Sequence, residues 1–386
     1  MNRPTELIKI MKFSILGFAL CLTGCGALVE RPAPELLSEI RGDSSITGHF
    51  EPAEEVVDVL ALNDEMKQFV DTRINSRWRT AKRLAELRNL LFSPELFAIE
   101  YETGNTKTAI ETFESRSGNC LSMTNLFIAL ARYSGLDANY HLVNSRPQWD
   151  QSGNVLLWTQ HINSIGVLRS GENYVLDFLP GRRVILREKM PTVTDRYAQA
   201  IYYNNLGAEA ILEKKYQDSL GYLRIALSLE PTMSDVWNNM GATQRRLTRV
   251  DLAKASYQQA IYLDAFNNTA MSNLSRLHFA EGDEDLGEYY RDRVLRYRLK
   301  NPYYRYANAR TALFIGDYEK ALEELSAAIL LKEDDASFFI ALAEAYEGLG
   351  DEHKRQLSLR LARHIKSETG QRSSLEIYRG GNVIFR

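Results

Sequence analysis

The hydrophobic pattern changes period several times along the chain. Between Pro52 and about Leu91, apolar residues recur at helical spacing: Val56, Val57, Val59 and Leu60, then Met66, Phe69 and Val70, then Leu84, Leu87 and Leu90. That spacing predicts amphipathic helices. Residues 108–116 read as helix or turn, and Ser117-Gly118-Asn119 breaks the pattern. A second helical run opens at Cys120, continues through Leu121, Leu126, Phe127, Ala129, Leu130 and Tyr133, and stops at Gly135, where glycine suits the left-handed residue beyond a helix end. From Asn154 to Leu168 the period becomes two, which puts Leu157, Thr159, His161, Asn163 and Ile165 on one strand face. Arg169–Asn173 is then a hairpin turn and Tyr174–Leu179 the return strand, with Val184-Ile185-Leu186 as a last strand in the connection 181–199.

The helical period returns at Ala200 and now repeats every 34 residues, with frames opening at Ala200, Ser234, Asn268, Pro302 and Ala336. The eighth position of each frame is small (Gly207, Gly241, Ser275, Ala309, Ala343), and so is most of the twenty-seventh (Ala226, Ala260, Val294, Ala328, Ala362). Small residues at fixed points let two helices cross closely, and the larger apolar residues between them fill the seam. The period and pattern resemble the tetratricopeptide repeat. The resemblance implies an all-α solenoid of five repeats over 200–369, in which each helix pair buries its face only against its neighbours. The third and fourth repeats are degenerate, with Arg291 and Arg305 at positions usually apolar. Asn205, Asn239 and Asn273 share the sixth position of three consecutive frames. Their amides can hydrogen-bond an extended peptide, with Tyr203 and Trp237 adding apolar contact, or they can brace one helix against the next. Six tyrosines between Tyr289 and Tyr306 gather with several arginines between the third and fourth repeats, as a partner site or a wet helix face.

At the other end, Lys9 and Lys12 precede the apolar run Phe13–Leu22. That run is about half the length a membrane-spanning helix needs, and it reads as a secretory signal. It ends in Leu22-Thr23-Gly24-Cys25, which resembles the bacterial lipobox. The resemblance implies cleavage before Cys25, its acylation, and a lipid-anchored protein of the bacterial cell envelope. Gly26, in place of an aspartate, favours the outer membrane, facing the periplasm. Residues 25–51 are then a tether from the lipid and residues 370–386 a basic tail that docks at an unspecified place.

Charge and cysteine content narrow the chemistry. Lys+Arg is 47 and Asp+Glu 50, a net charge of −3. This balance argues against nucleic acid as a partner. No phosphate-binding glycine motif or metal-type His/Cys spacing is present, so no nucleotide, cofactor or metal is implied. Of three cysteines, Cys21 leaves with the signal and Cys25 is acylated, so Cys120 remains as a lone thiol outside the cytoplasm. It is either a small buried apolar residue or a nucleophile. Its place in the first turn of a helix favours the thiolate form. A thiolate nucleophile needs a base and a group to orient it, and His161 and Asp177 fall on neighbouring antiparallel strands downstream.

The block Ser115-Arg116-Ser117-Gly118-Asn119-Cys120, followed by Leu126, Leu130-Ala131-Arg132 and Gly135-Leu136, resembles the core of the transglutaminase-like superfamily over roughly 95–180. That resemblance implies an α+β papain-like domain over 52–190, with Cys120 as nucleophile, His161 as base and then acid, and Asp177 orienting His161. Ile162 follows His161 where the family often has an aromatic residue. The expected activity is thiol acyl transfer at peptide or isopeptide bonds, hydrolysis being easier than cross-linking in water, with the repeats binding a protein partner or substrate. The alternative is a non-catalytic lipoprotein scaffold that assembles an envelope complex through its repeats.

Overall fold

The computed structural model describes residues 32–42, 56–93, 95–102, 104–143, 150–152, 155–157, 161–178, 192–369, 375–379 and 382–385. The run Phe13–Leu22 that reads as a signal, Cys25 and the stretch Val184-Ile185-Leu186 lie outside these residues. The N-terminal half comprises α1 (Pro34–Arg41), α2 (Asp64–Asp71), α3 (Thr80–Phe92), β1 (Glu100–Tyr101), α4 (Ala109–Ser115), β2 (Ser117–Gly118), α5 (Cys120–Tyr133), β3 (Asn139–Val143), β4 (Asp150–Ser152), β5 (Val155–Leu157), β6 (His161–Val167), β7 (Asn173–Leu176) and β8 (Thr192–Val193). Side-chain caps fix several helix starts. Asn63 accepts from the Met66 N–H, Thr108 and Glu111 form a capping box on α4, and Asn119 accepts from the Ser122 N–H on α5. Gly135 ends the α5 segment with φ +73°.

Helix α5 is the spine of this half: every residue from Leu121 to Ala131 is buried. It lies on the sheet, where Phe127 meets the rings of Tyr174 and Phe178 and the Tyr140 hydroxyl donates to Asn125 Oδ1 at 2.6 Å. Glycine is required at position 166 because a Cβ there would lie 1.9 Å from the Asp137 carbonyl oxygen and 2.6 Å from the Tyr174 ring.

Ten helices follow in five pairs: α6 (Asp195–Leu212) with α7 (Tyr216–Leu229), α8 (Ser234–Arg246) with α9 (Val250–Leu263), α10 (Asn268–Glu281) with α11 (Glu284–Arg298), α12 (Pro302–Phe314) with α13 (Tyr318–Leu331), and α14 (Ala336–Gly348) with α15 (Glu352–Thr369). This is a helical solenoid of tetratricopeptide type. The frame positions explain the crossings: a Cβ on Gly207 would lie 2.7 Å from the Leu223 side chain, and one on Gly241 2.6 Å from the Tyr257 ring.

After the array, β9 (Leu375–Arg379) and β10 (Asn382–Phe385) return to the N-terminal half. The main sheet has six strands in the order β10-β9-β7-β6-β3-β8. The C-terminal tail therefore docks at the β7 edge, antiparallel, with Asn173 opposite Tyr378 and Leu176 opposite Leu375. The two ends of the array meet opposite sides of one sheet: α6 follows the edge strand β8, and α15 precedes β9, the strand next to the other edge.

The halves share a core. One buried cluster runs from Ile40 through α2–α5 and the sheet into the first three repeats, ending at Val294; a second, smaller one joins Ala309, Ala312, Ala321, Leu325, Ala341 and Ala345. Arg132 forks onto both carboxylate oxygens of Asp195 at 2.6 and 2.9 Å, and Tyr203 accepts from the Val57 N–H at 2.9 Å. The segment read as a tether carries the docked helix α1 instead. Ile40 is fully buried, Leu36 and Leu37 pack against the same core, and α1 lies on α7 and α9 with Arg224 Nε donating to the Ile40 carbonyl at 3.2 Å. The apolar face of α1 is only Leu36, Leu37 and Ile40, too short to stand out in a stretch rich in Pro, Gly and Ser.

Candidate active site

Cys120 is the first residue of α5, half-buried, and packed against the core. The loop before it is held by a buried lysine. Lys107 Nζ donates to Glu102 Oε2 at 2.8 Å, to Ser115 Oγ at 3.0 Å, and to the carbonyl and hydroxyl of Ser117 at 3.1 and 2.9 Å. The hydrogen bonds from Lys107 and then Ser117 hold the Glu102 carboxyl below its ordinary range. Arg116 takes the left-handed conformation at the end of α4, and a Cβ on Gly118 would lie 2.6 Å from the Ser122 Cβ. The Ser-Gly-Asn break that was legible as a helix boundary is thus an extended link, β2 and the cap Asn119, which follows the left-handed Arg116 and delivers Cys120 to the start of α5.

His161 opens β6, its backbone paired with Val143; its side chain lies outside the described residues. Asp177 follows β7 and is 1% exposed. It sits in a polar row across three strands. Asn163 Nδ2 donates to Asp177 Oδ2 at 3.3 Å, and Asn163 Oδ1 lies 2.9 Å from His141 Nδ1. With the amide nitrogen turned to the carboxylate, its oxygen accepts from His141 Nδ1–H. All three residues are nearly inaccessible to water. The register pairs His141 with Asn163, and the next pair, Tyr140 with Ser164, turns the opposite way. Tyr140 and Tyr174 meet α5, so by strand alternation the row faces away from the body of α5. The structure therefore brings Asp177 together with Asn163 and His141. Sequence reading placed Asn163 on a strand face but gave it and His141 no role; a buried polar residue on each of adjacent strands was the available signal.

A cavity of about 370 Å³ opens between α2 and α4. The rings of Phe69, Phe97 and Phe113 line it, with the Arg73 guanidinium 5.1 Å from the Phe69 ring centre and that of Arg116 5.1 Å from that of Phe97. Among the described residues no cluster of His, Cys, Asp and Glu has the arrangement of a metal site, and no helix is long and apolar enough to cross a membrane.

In the array, the asparagines link neighbouring repeats. Asn239 Nδ2 donates to Asn204 Oδ1 at 2.9 Å, Asn273 Nδ2 to Asn238 Oδ1 at 3.0 Å, and Asn238 Nδ2 to Asn239 Oδ1 at 3.3 Å. These bonds tie α6 to α8 and α8 to α10, the bracing role. Asn205 is half-buried on α6. Trp237 and Tyr203 belong to the core and not to a partner surface. Trp237 is fully buried, with its indole N–H donated to the Pro231 carbonyl at 2.9 Å, and Tyr203 is 3% exposed. The cluster of tyrosines at the third and fourth repeats is dispersed: Tyr290 stacks on His278, Tyr306 lies against Phe338, and Tyr303 donates to Asp335 at 2.9 Å.

Comparison with known proteins bears on this second half. The tetratricopeptide repeat family matches residues 234–267, which are α8, α9 and the turn that follows. The chain is similar to heat shock protein STI1 of Saccharomyces cerevisiae, 31% identical over 78 residues that make up 20% of this chain and 13% of that one. It thus spans only a small part of that relative's length. Among solved structures, similarity extends to YrrB, a tetratricopeptide-repeat protein with an unusual peptide-binding site (17% identity, 44% of this chain and 87% of that one, TM-score 0.25). It also extends to MamA (16% identity, 44% and 92%, TM-score 0.26) and to BtubC from P. vanneervenii (15% identity, 46% and 84%, TM-score 0.28). The repeats indicate protein–protein interaction as the role of this half.

Proposed function

We propose that the chain is an envelope lipoprotein whose transglutaminase-like half, over 52–190, performs thiol acyl transfer while its repeats hold a protein substrate or partner. The observation that carries the reading is the place of Cys120: the one free thiol among the described residues, at the first residue of a buried helix that lies on a sheet in which His161 opens β6 and the buried Asp177 follows the adjacent β7. In the proposed reaction His161 takes the Cys120 proton and the sulfur attacks a peptide or isopeptide carbonyl, with the Cys120 N–H as one donor to the oxyanion. The C–N bond breaks as His161 returns the proton to the leaving amine. Water, deprotonated by His161, then attacks the thioester; the C–S bond breaks, a carboxylate leaves and the thiol is restored. An amine in place of water gives cross-linking by the same steps. Cys25 would carry the lipid that fixes the protein to the outer membrane, facing the periplasm; more than one acyl chain makes such an anchor stable.

The scaffold reading, in which the repeats assemble an envelope complex and the N-terminal half does no chemistry, is favoured by one observation. Asp177 is engaged by Asn163 on the face of the sheet away from the body of α5. Alkylation of Cys120 separates the two readings. At about pH 6 an ordinary thiol is almost wholly protonated and reacts slowly. The acyl-transfer reading expects fast alkylation there, lost in His161→Ala. Equal, slow alkylation in both proteins sinks it and leaves the scaffold.

A further inference from the structure

The cap of α5 depends on a residue of the first repeat. Glu209 Oε1, on α6, accepts both the Thr106 N–H at 2.9 Å and the Thr106 hydroxyl at 2.8 Å. Thr106 Oγ1 in turn accepts from Asn119 Nδ2 at 2.8 Å. Asn119 Oδ1 accepts from the Ser122 N–H and the Ser122 hydroxyl, both at 2.9 Å, and Ser122 Oγ accepts from the Lys107 N–H at 2.8 Å.

We propose that Glu209 is a positioning residue for Cys120, so that the first repeat forms part of the thiol site. The direction of each bond supports this. A carboxylate only accepts, and a threonine hydroxyl has one hydrogen. With that hydrogen committed to Glu209, the Thr106 oxygen is left as an acceptor, and it draws the nitrogen side of the Asn119 amide. The oxygen side must then face α5, the orientation that caps the first turn; a flipped amide would set its NH2 against the Ser122 N–H. Thr106 is 4% exposed and Ser122 fully buried, so water is poorly placed to substitute. The same helix α6 holds the far end of α5 through the Asp195–Arg132 pair. Helix α6 therefore grips α5 at both ends, and a partner that shifts α6 within the array moves the turn that holds Cys120.

The catalytic meaning of this relay rests on the thiol chemistry proposed above, and the test keeps the two apart. In the full chain, amide exchange in the first turn of α5 and the alkylation rate of Cys120 are measured in Glu209→Ala, Glu209→Gln, Thr106→Val and Thr106→Ser. Glutamine keeps an acceptor and serine keeps a hydroxyl, so both conservative variants should match the wild type. Alanine and valine should raise exchange at Ser122 about fivefold, as expected for a weakened cap, and slow alkylation several-fold, with exchange in α8 and α9 unchanged. Wild-type exchange in Glu209→Ala and Thr106→Val overturns the relay. Should Glu209→Ala fail to fold, the Thr106 pair decides alone. If exchange responds as expected while the wild-type thiol is slow and indifferent to His161→Ala, the relay stands and the acyl-transfer reading falls.

Discussion

At Asp235, in the first turn of α8, burial opposes charge. Desolvation, with Asp264 nearby adding repulsion, pushes its carboxyl up to about 6, and the Asn267 amide at 3.3 Å offsets only part of that. A carboxyl whose folded value lies above its ordinary 3.8 binds its proton more tightly in the folded state. The stability gained is fully present below that ordinary value and is lost as pH rises through about 6. Asp235→Asn should therefore be the more stable protein at neutral pH, by about 1–2 kcal/mol, and the difference should vanish towards pH 4. Urea midpoints of both proteins across this range check it; a constant difference would show that burial of the charge is not the cause. The aromatic residues teach the complementary lesson about single positions. Trp237 was legible as a repeat residue, and it shares one apolar stripe with Val236 and Met240 on an otherwise polar helix; what the local pattern does not give is the surface that covers it. Its direction is set by the Pro231 carbonyl and by Arg41, 5.5 Å from its ring centre, which reaches it from a segment some 200 residues earlier.

At the scale of elements, what depended on short-range period was readable and what depended on distant pairing was not. The 34-residue frames at Ser234, Asn268, Pro302 and Ala336 coincide with the first residues of α8, α10, α12 and α14, because close helix crossings demand small residues at fixed spacing. The run from Cys120 to Gly135 is likewise a local signal, as is the turn at 169–173, where Gly171 takes φ +90° and Leu168 pairs with Glu172. By contrast, the row of His141, Asn163 and Asp177 exists only once three strands are in register, and Glu209 looks like any polar position of a helical repeat. Helix α1 was hidden for a related reason: eight residues with three apolar side chains form a stable helix only against a partner surface. Its docking therefore has one principal anchor. Ile40→Ala should remove about 2–4 kcal/mol of packing, enough to undock α1. Amides of residues 37–41 would then exchange freely while α7 and α9 stay protected. Continued protection of α1 would mean that Leu36, Leu37 and the Arg224 bond suffice.

For the whole molecule, the division of the core matters more than the count of repeats. The first three repeats are continuous with the sheet and α5, whereas α12–α14 pack around a small cluster of their own, with α15 laid against α14. In a solenoid, stability passes only between neighbours, so a break in the core should divide the unfolding. The second block is held at its start, where Arg305 Nε donates to the Leu299 carbonyl just past α11 at 3.1 Å, and at its end, where β9 pairs with β7. Ending the chain after Thr369 removes the second attachment and bares the β7 edge beside Asp177, an edge open to pairing with other chains. Three changes are expected in amide exchange of the truncated protein: faster exchange in α12–α15, faster exchange in β7, and little change in α8–α9. Uniform exchange across all ten repeat helices would instead mean that the two cores unfold as one unit. If the β7 amides loosen and Cys120 alkylation slows with them, the C-terminal strand supports the proposed site from one edge of the sheet as Glu209 does from the first repeat, and a partner bound to the array can reach the thiol from either end.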